Sequence, residues 1–270
     1  SCRATATGMA AVWASLASLL KSGDRLVTSK ALFGSCHVVC SEFLPKFGVE
    51  CVMVDGTDLN EWERVLSKPT QVVFMETPSN PQMDLIDIKA VSLLAHKVGA
   101  KVVVDNVFAT PILQKPIELG ADIVVYSATK HIDGQGRTMG GVILTNDIEY
   151  SDGSLLQFLR HTGPALSPFN AWILLKGLET LELRMAQHCK NAREIAKFLT
   201  TQSGLSEVIY PGLKSHPQYK LCKKQMSGAG SMVCFKVEGG IKRAFKIMNA
   251  FKLINISNNL GDAKSLVTHP

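Results

Sequence analysis

Long apolar runs are missing from this 270-residue sequence. The nearest thing to one, Met9 to Leu20, is broken by serines and falls short of the roughly 20 residues that a membrane-crossing helix needs. No membrane span or membrane partner is expected. The seven cysteines (Cys2, Cys36, Cys40, Cys51, Cys189, Cys222 and Cys234) are odd in number and include no CxxC pair. That spacing argues against a disulfide framework and against a metal site, and for a reducing, cytoplasmic setting. Internal repeats and low-complexity segments are also absent. No G-x-G-x-x-G lies near the first strand pattern, which removes a dinucleotide-binding turn. Tyr126 and Lys130 do match the Y-x-x-x-K spacing of short-chain dehydrogenases. That chemistry needs both residues on one helix, whereas Tyr126 ends a strand-like run.

The charge is uneven. Up to Tyr150 there are 13 Lys and Arg against 16 Asp and Glu; beyond it there are 16 against 7. The lysines are spread along helical patterns and are not interleaved with aromatics, so they read as solvated faces, and no nucleic-acid partner is expected.

What is present alternates. Strand patterns occur at Arg25 to Thr28, Val49 to Val54, Gln71 to Glu76, Lys101 to Asn106, Asp122 to Tyr126 and Gly141 to Thr145. Helical patterns lie between them at Met9 to Lys21, Cys36 to Phe47, Leu59 to Leu66 and Ile88 to Val98. Runs such as "KVVVD" and "DIVVY" are apolar throughout, which suits a mainly parallel sheet covered by helices on both faces. A single helix is expected from Pro168 to Thr200, with Pro168 at its start. It would bridge a larger domain, residues 1–184, and a smaller one, residues 185–270, which holds a short strand at Ser231 to Val237.

In an open α/β sheet the ligand lies beyond the carboxyl ends of the strands. Three successive strand ends read "METPSNP", "VVVDN" and "YSATK", placing Glu76 and Asn80, then Asp105, then Ser127, Thr129 and Lys130 at one edge. Asp105 reads equally as a turn residue or as a counter-ion to a cation. Lys130 reads as a solvated strand-end lysine or, if desolvated, as an amine nucleophile. Ser127 and Thr129 offer hydroxyls, and Thr7-Gly8 opens a helical pattern whose N–H groups suit an anion. Each of these residues taken singly has a bland reading as cap, turn or surface.

The ordered set "ATGMAA", "LFGSC", "ETPSNP", "VVVDN", "LGADIVVYSATK" and "YPGLKSHPQY" resembles the Cys/Met metabolism family of pyridoxal-phosphate enzymes, along essentially the whole chain. "SATKHIDGQGRTMGG", "HTGPALSPFNAW" and "SNNLGDAKSLVTHP" look most like its O-succinylhomoserine sulfhydrylase subgroup. The resemblance implies the type I fold of PLP-dependent transferases, similar to aspartate aminotransferase, with a central sheet between helices and part of a smaller C-terminal α/β domain. It implies pyridoxal 5'-phosphate joined to Lys130 as a Schiff base and Asp105 facing the pyridine nitrogen. Gly8, Met9, Ser127 and Thr129 would bind the phosphate, and Glu76 and Asn80 would lie near the ring and phenolic oxygen. Phe33 stands where most relatives stack a tyrosine, and Asn259 and Leu260 fall on the substrate side, where γ-lyases often carry a serine.

The implied reaction is a γ-replacement on an O-acylhomoserine with sulfide to give homocysteine, in methionine biosynthesis. Cystathionine synthesis and methionine or cystathionine γ-elimination remain open on the same scaffold. A homotetramer built from dimers with shared sites is the implied assembly. The family's upstream Tyr and Arg, which reach the phosphate of a neighbouring subunit, are not found, nor is the downstream Arg that holds the substrate carboxylate. The chain is therefore expected to be an internal piece of a longer enzyme, and an inactive fragment is the second alternative.

Overall fold

A computed structural model describes all 270 residues. The chain runs β1 (Cys2–Thr5), α1 (Gly8–Ala17), β2 (Arg25–Ser29) and α2 (Gly34–Val38), which continues through a π-helical turn (Val39–Phe43) into α3 (Leu44–Lys46). Then come β3 (Glu50–Val54), α4 (Leu59–Val65), β4 (Val72–Glu76), α5 (Ile88–Lys97), β5 (Lys101–Asp105), α6 (Thr110–Leu113), β6 (Ile123–Ser127) and β7 (Gly141–Thr145). Helices α7 (Ile148–Tyr150), α8 (Leu156–Thr162), α9 (Pro168–Leu178) and α10 (Leu181–Leu199) follow. The chain ends with β8 (Leu205–Ile209), α11 (Tyr219–Gln225), β9 (Cys234–Val237), α12 (Gly240–Ala250), β10 (Asn255–Ile256) and β11 (Leu266–Val267).

One seven-stranded sheet, in the order β1-β7-β6-β5-β4-β2-β3, organises the larger part. Its strands from β3 to β6 are parallel, and β7 pairs antiparallel with both β6 and β1. Alternate residues point to opposite faces, so each apolar run feeds two cores. Val73, Val102, Val104 and Val124 pack with Trp62, Ile88 and Val91 on one face. Phe74, Val103, Val125 and Ile143 pack with Ala11, Val12 and Leu44 on the other. This double burial is why these strands show no polar alternation.

Five helix starts carry the expected signal. Thr7, Asp58, Asp87, Asp147 and Ser167 each accept a backbone N–H from the first turn of the helix that follows. The expected single helix from Pro168 to Thr200 is instead two, broken at Glu179 and Thr180 without a proline. The turn is fixed from outside: Arg184 donates to the carbonyls of Gly177 (2.7 Å), His131 (2.6 Å) and Ile132 (3.3 Å) and to the Thr180 hydroxyl (3.1 Å). The expected helix from Cys36 to Phe47 is likewise three short helical pieces. Strand β1 and the helical stretch from Ile148 to Thr162 were not expected, and the expected strand at Ser231 to Val237 is only Cys234–Val237, paired with β8. No helix is long and apolar enough to cross a membrane.

Behind the strand ends three buried amides form a chain. Asn106 donates to the carbonyls of Thr110 and Gln114 and to the Tyr126 hydroxyl. Gln114 donates to Asn106 Oδ1 (2.8 Å) and the Thr77 carbonyl (2.9 Å), and accepts from Gln225 Nε2 (2.9 Å). Gln225, on α11, also spans the Ile86 carbonyl and the Ile88 N–H. Removing one member leaves buried polar atoms unpaired. Gln114→Leu is expected to cost about 1–3 kcal/mol, read as a lower urea midpoint with an unchanged slope.

Candidate active site

The carboxyl edge of the parallel strands collects the polar residues because the strand cores leave them no room elsewhere. Glu76 and Asp105 end adjacent strands at matching register. Both are buried, at 4% and 8% exposure. Asp105 Oδ1 accepts the Val107 N–H at 3.0 Å, and Glu76 Oε2 accepts the Phe33 N–H at 2.6 Å. Burial pushes Asp105 up to about 7, and burial together with the neighbouring Asp105 holds Glu76 well above the usual carboxylate range. Asn80 lies on the loop after β4, where its backbone N–H works against the upward shift of Glu76.

Phe33 is the residue just before α2, held there through its own N–H, and the residue is 43% exposed. Gly8 is the first residue of α1, and a Cβ added to it would lie 2.5 Å from Ser127 Cβ and 2.7 Å from Ser127 Oγ. Only glycine lets the start of α1 rest against the end of β6, bringing free helix N–H groups beside a hydroxyl. Met9 lies one residue on, its sulfur 3.9 Å from Cys36 Sγ.

After β6 the chain turns at once: the Lys130 N–H donates to the Ser127 carbonyl at 3.2 Å. Thr129 points its hydroxyl at Gly140, accepting that N–H at 3.2 Å. The Lys130 amine is partly buried, and desolvation lowers its pKa. Its partner is Asn259 Oδ1, 2.7 Å away. Asn259 and Leu260 lie on a loop pressed onto the lysine turn. A Cβ at Gly261 would meet the His131 nitrogen at 2.5 Å, and Ala263 donates to the Gly134 carbonyl at 2.8 Å. Beside this contact lies a cleft of about 360 Å³ lined by Thr129, Arg137, Thr138, Met139, Asn170 and Asn259.

The structure thus gathers the residues singled out by sequence into two linked groups. One holds Gly8, Ser127, Lys130 and Asn259; the other holds Phe33, Glu76, Asn80 and Asp105 one strand away. Sequence reasoning gave no site role to Asp133, Arg137, Arg184 or His131. Asp133, fully buried, accepts from the Arg137 backbone N–H (2.7 Å) and Nε (3.0 Å), tying off the loop after the lysine. His131 Nε2 and the Ser231 hydroxyl lie 2.8 Å apart, and burial drops this imidazole to about 3. Asp133 and Arg137 at i and i+4 were the one available signal; Arg184 looked like any helix-surface arginine.

Comparison with known proteins agrees along the whole chain. The model of the family described as "Cys/Met metabolism PLP-dependent enzyme" matches residues 1–270. An O-succinylhomoserine sulfhydrylase of Mycobacterium tuberculosis (strain ATCC 25618 / H37Rv) is 60% identical over 99% of this chain and 66% of its own length. An L-methionine gamma-lyase of Fusobacterium nucleatum subsp. nucleatum is 41% identical over 99% of this chain and 68% of its own. The crystal structure of cystathionine gamma synthase from Xanthomonas oryzae pv. oryzae in complex with aminoacrylate and cysteine superposes with a TM-score of 0.97 at 34% identity, covering 100% of this chain and 69% of that one. The chain spans about two thirds of the length of these curated relatives. With its seven-stranded α/β fold and a family match over every residue, the chain belongs to the Cys/Met metabolism family of PLP-dependent enzymes.

Proposed function

We propose that the whole protein catalyses γ-replacement, exchanging the acyloxy group of O-succinylhomoserine, or another O-acylhomoserine, for sulfide to give homocysteine. The observation that carries this reading is the partly buried Lys130 amine at the end of β6, beside the strand that ends in buried Asp105. The sulfhydrylase name of the 60%-identical relative supports the choice of reaction.

The donor set suits pyridoxal phosphate. Lys130 would hold its aldehyde carbon, and Asp105, which lacks a cation from this chain, would hold the protonated ring nitrogen. The Gly8 and Met9 N–H groups and the Ser127 hydroxyl would hold the phosphate, joined by Thr129 if its O–H turns from the Gly140 carbonyl, to which it donates at 3.4 Å. Phe33 would cover the ring, with Glu76 and Asn80 at its edge and Asn259 and Leu260 facing substrate. When bound, the cofactor supplies an electron sink for the pair left at the substrate α carbon.

Proton traffic then falls to the chain. A desolvated Lys130 is more often the free amine near neutral pH, so it can take the α proton and afterwards carry a proton to and from the β carbon. Phe33 has no hydroxyl to share this work. The γ C–O bond breaks, succinate leaves with its electron pair, and sulfide forms the new γ C–S bond. The cleft edge and α9 expose Met139, Phe169, Trp172 and Leu175. These apolar side chains support the proposal that copies assemble as dimers, two to a tetramer, sharing sites. We also propose that residues 1–184 form the cofactor domain and 185–270 part of the smaller one, with α10 as the bridge.

Purified full-length enzyme given O-succinylhomoserine with sulfide and with cysteine in parallel is expected to favour homocysteine; a dominant cystathionine product overturns the choice of nucleophile. Lys130→Ala is expected to lose the near-visible absorption band of lysine-bound cofactor and about 10²–10⁴-fold in turnover. A carboxyl group whose folded pKa is raised binds its proton more tightly when folded, so its contribution is full below about pH 4 and lost as pH rises towards 7. The cofactor-free chain should therefore lose thermal stability across that window. Asp105→Asn should flatten the loss, and added cofactor should stabilise most at its upper end.

A further inference from the structure

Lys130 Nζ makes one side-chain contact, and it is made to the far end of the chain. Asn259 Oδ1 stands 2.7 Å from the amine across 129 residues of sequence. An ammonium group only donates, so the amide must present its oxygen to the lysine. Its Nδ2 is then turned towards Gly136, where an added Cβ would lie 3.9 Å away, on the side of the cleft that Asn259 lines.

The backbone that carries this amide is held at three points. The Asn259 N–H donates to the Ser257 hydroxyl at 3.1 Å. Gly261, at φ +79°, lies against the backbone of Lys130 and His131, and Ala263 bonds the Gly134 carbonyl at 2.8 Å. Loop and lysine turn are therefore tied together through their backbones, which sets the start of the Asn259 side chain beside the amine.

From this we infer that Asn259 is a positioning residue for the lysine: it holds the Lys130 amine whenever that amine is not joined to the cofactor, keeping it on the substrate side between proton transfers. The inference rests on the reading of Lys130 as the proton carrier. A neutral acceptor suits the task, because it orients the amine without fixing its charge. A carboxylate at the same place would form an ion pair and hold the ammonium form.

The charged and titratable groups packed around this turn come from several elements. His131, Asp133 and Arg137 lie on the turn and the loop after it, Arg184 and His188 come from α10, and Asp262 comes from the Asn259 loop. Asp105 and Glu76 lie at the neighbouring strand ends. None of these changes in the variants proposed below, so a shift seen there reports position 259.

The test compares Asn259→Ala, Asn259→Ser and Asn259→Asp in the full-length enzyme, each checked for native cofactor content. Asn259→Ala should lower kcat at least tenfold with KM for the acylhomoserine changed less than threefold, and Asn259→Ser should recover part of the loss. The second readout needs no turnover: in cofactor-stripped protein, reductive methylation of Lys130 by formaldehyde and cyanoborohydride is followed against pH by peptide mass spectrometry. Asn259→Asp should move the midpoint of reactivity up by about one pH unit or more. A kcat within twofold of the parent in Asn259→Ala, or superimposable methylation profiles for parent and Asn259→Asp, overturns the inference. Lack of sulfhydrylase turnover in the parent overturns the activity alone, because the methylation profiles still read the contact.

Discussion

Two buried carboxyl groups at adjacent strand ends, both pushed towards their neutral forms, set the terms for the rest of the site. Parallel pairing of β4 with β5 puts Glu76 level with Asp105, and both lie out of water, with backbone N–H groups as their favourable partners. Like charges on neighbouring strand ends in a desolvated place are costly. On the proposed reading, a cationic ring nitrogen beside Asp105 would relieve that cost. The Phe33 N–H bound to Glu76 also holds the residue at which α2 begins, so one of the two carboxyl groups anchors the backbone of an aromatic residue at the strand ends.

The lysine sits one strand along and is governed by a different constraint. Its turn is enclosed by pieces from distant parts of the sequence. Gly8 brings α1 to Ser127, Arg184 takes up the carbonyls of His131 and Ile132, and the Asn259 loop closes over the backbone. No single segment makes the site. The buried amide chain through Asn106, Gln114 and Gln225 ties the strand ends to α11 in the same manner.

The sheet was legible because buried parallel strands write their burial directly into the sequence: "KVVVD" and "DIVVY" have no other comfortable place. Of the candidate site residues, Glu76, Asn80, Asp105, Ser127, Thr129 and Lys130 were legible as strand-end positions and Gly8 as a helix start, while Met9, Phe33, Asn259 and Leu260 came from the resemblance. What escaped reading depends on partners far away in sequence. The break between α9 and α10 has no proline; Gly177 lies so close to the Ile132 carbonyl that no side chain fits, and Arg184 supplies the missing hydrogen bonds from the next turn. Strand β1 has four residues with an arginine among them, and its identity comes from pairing with β7. The expected bond from Thr129 to a phosphate competes with the hydrogen its hydroxyl donates to the Gly140 carbonyl at 3.4 Å, a contact between residues with no sequence pattern to announce it.

Gly134 has a φ of +72°, and a Cβ there would collide with the guanidinium of Arg184. The glycine makes the space, and the arginine fills it with hydrogen bonds to the turn that carries the lysine. Neither residue can be exchanged alone without either a clash or a cavity lined with unpaired carbonyls. Some fifty positions apart, the two act as one fitting, and a change in either is felt at the turn that carries the lysine.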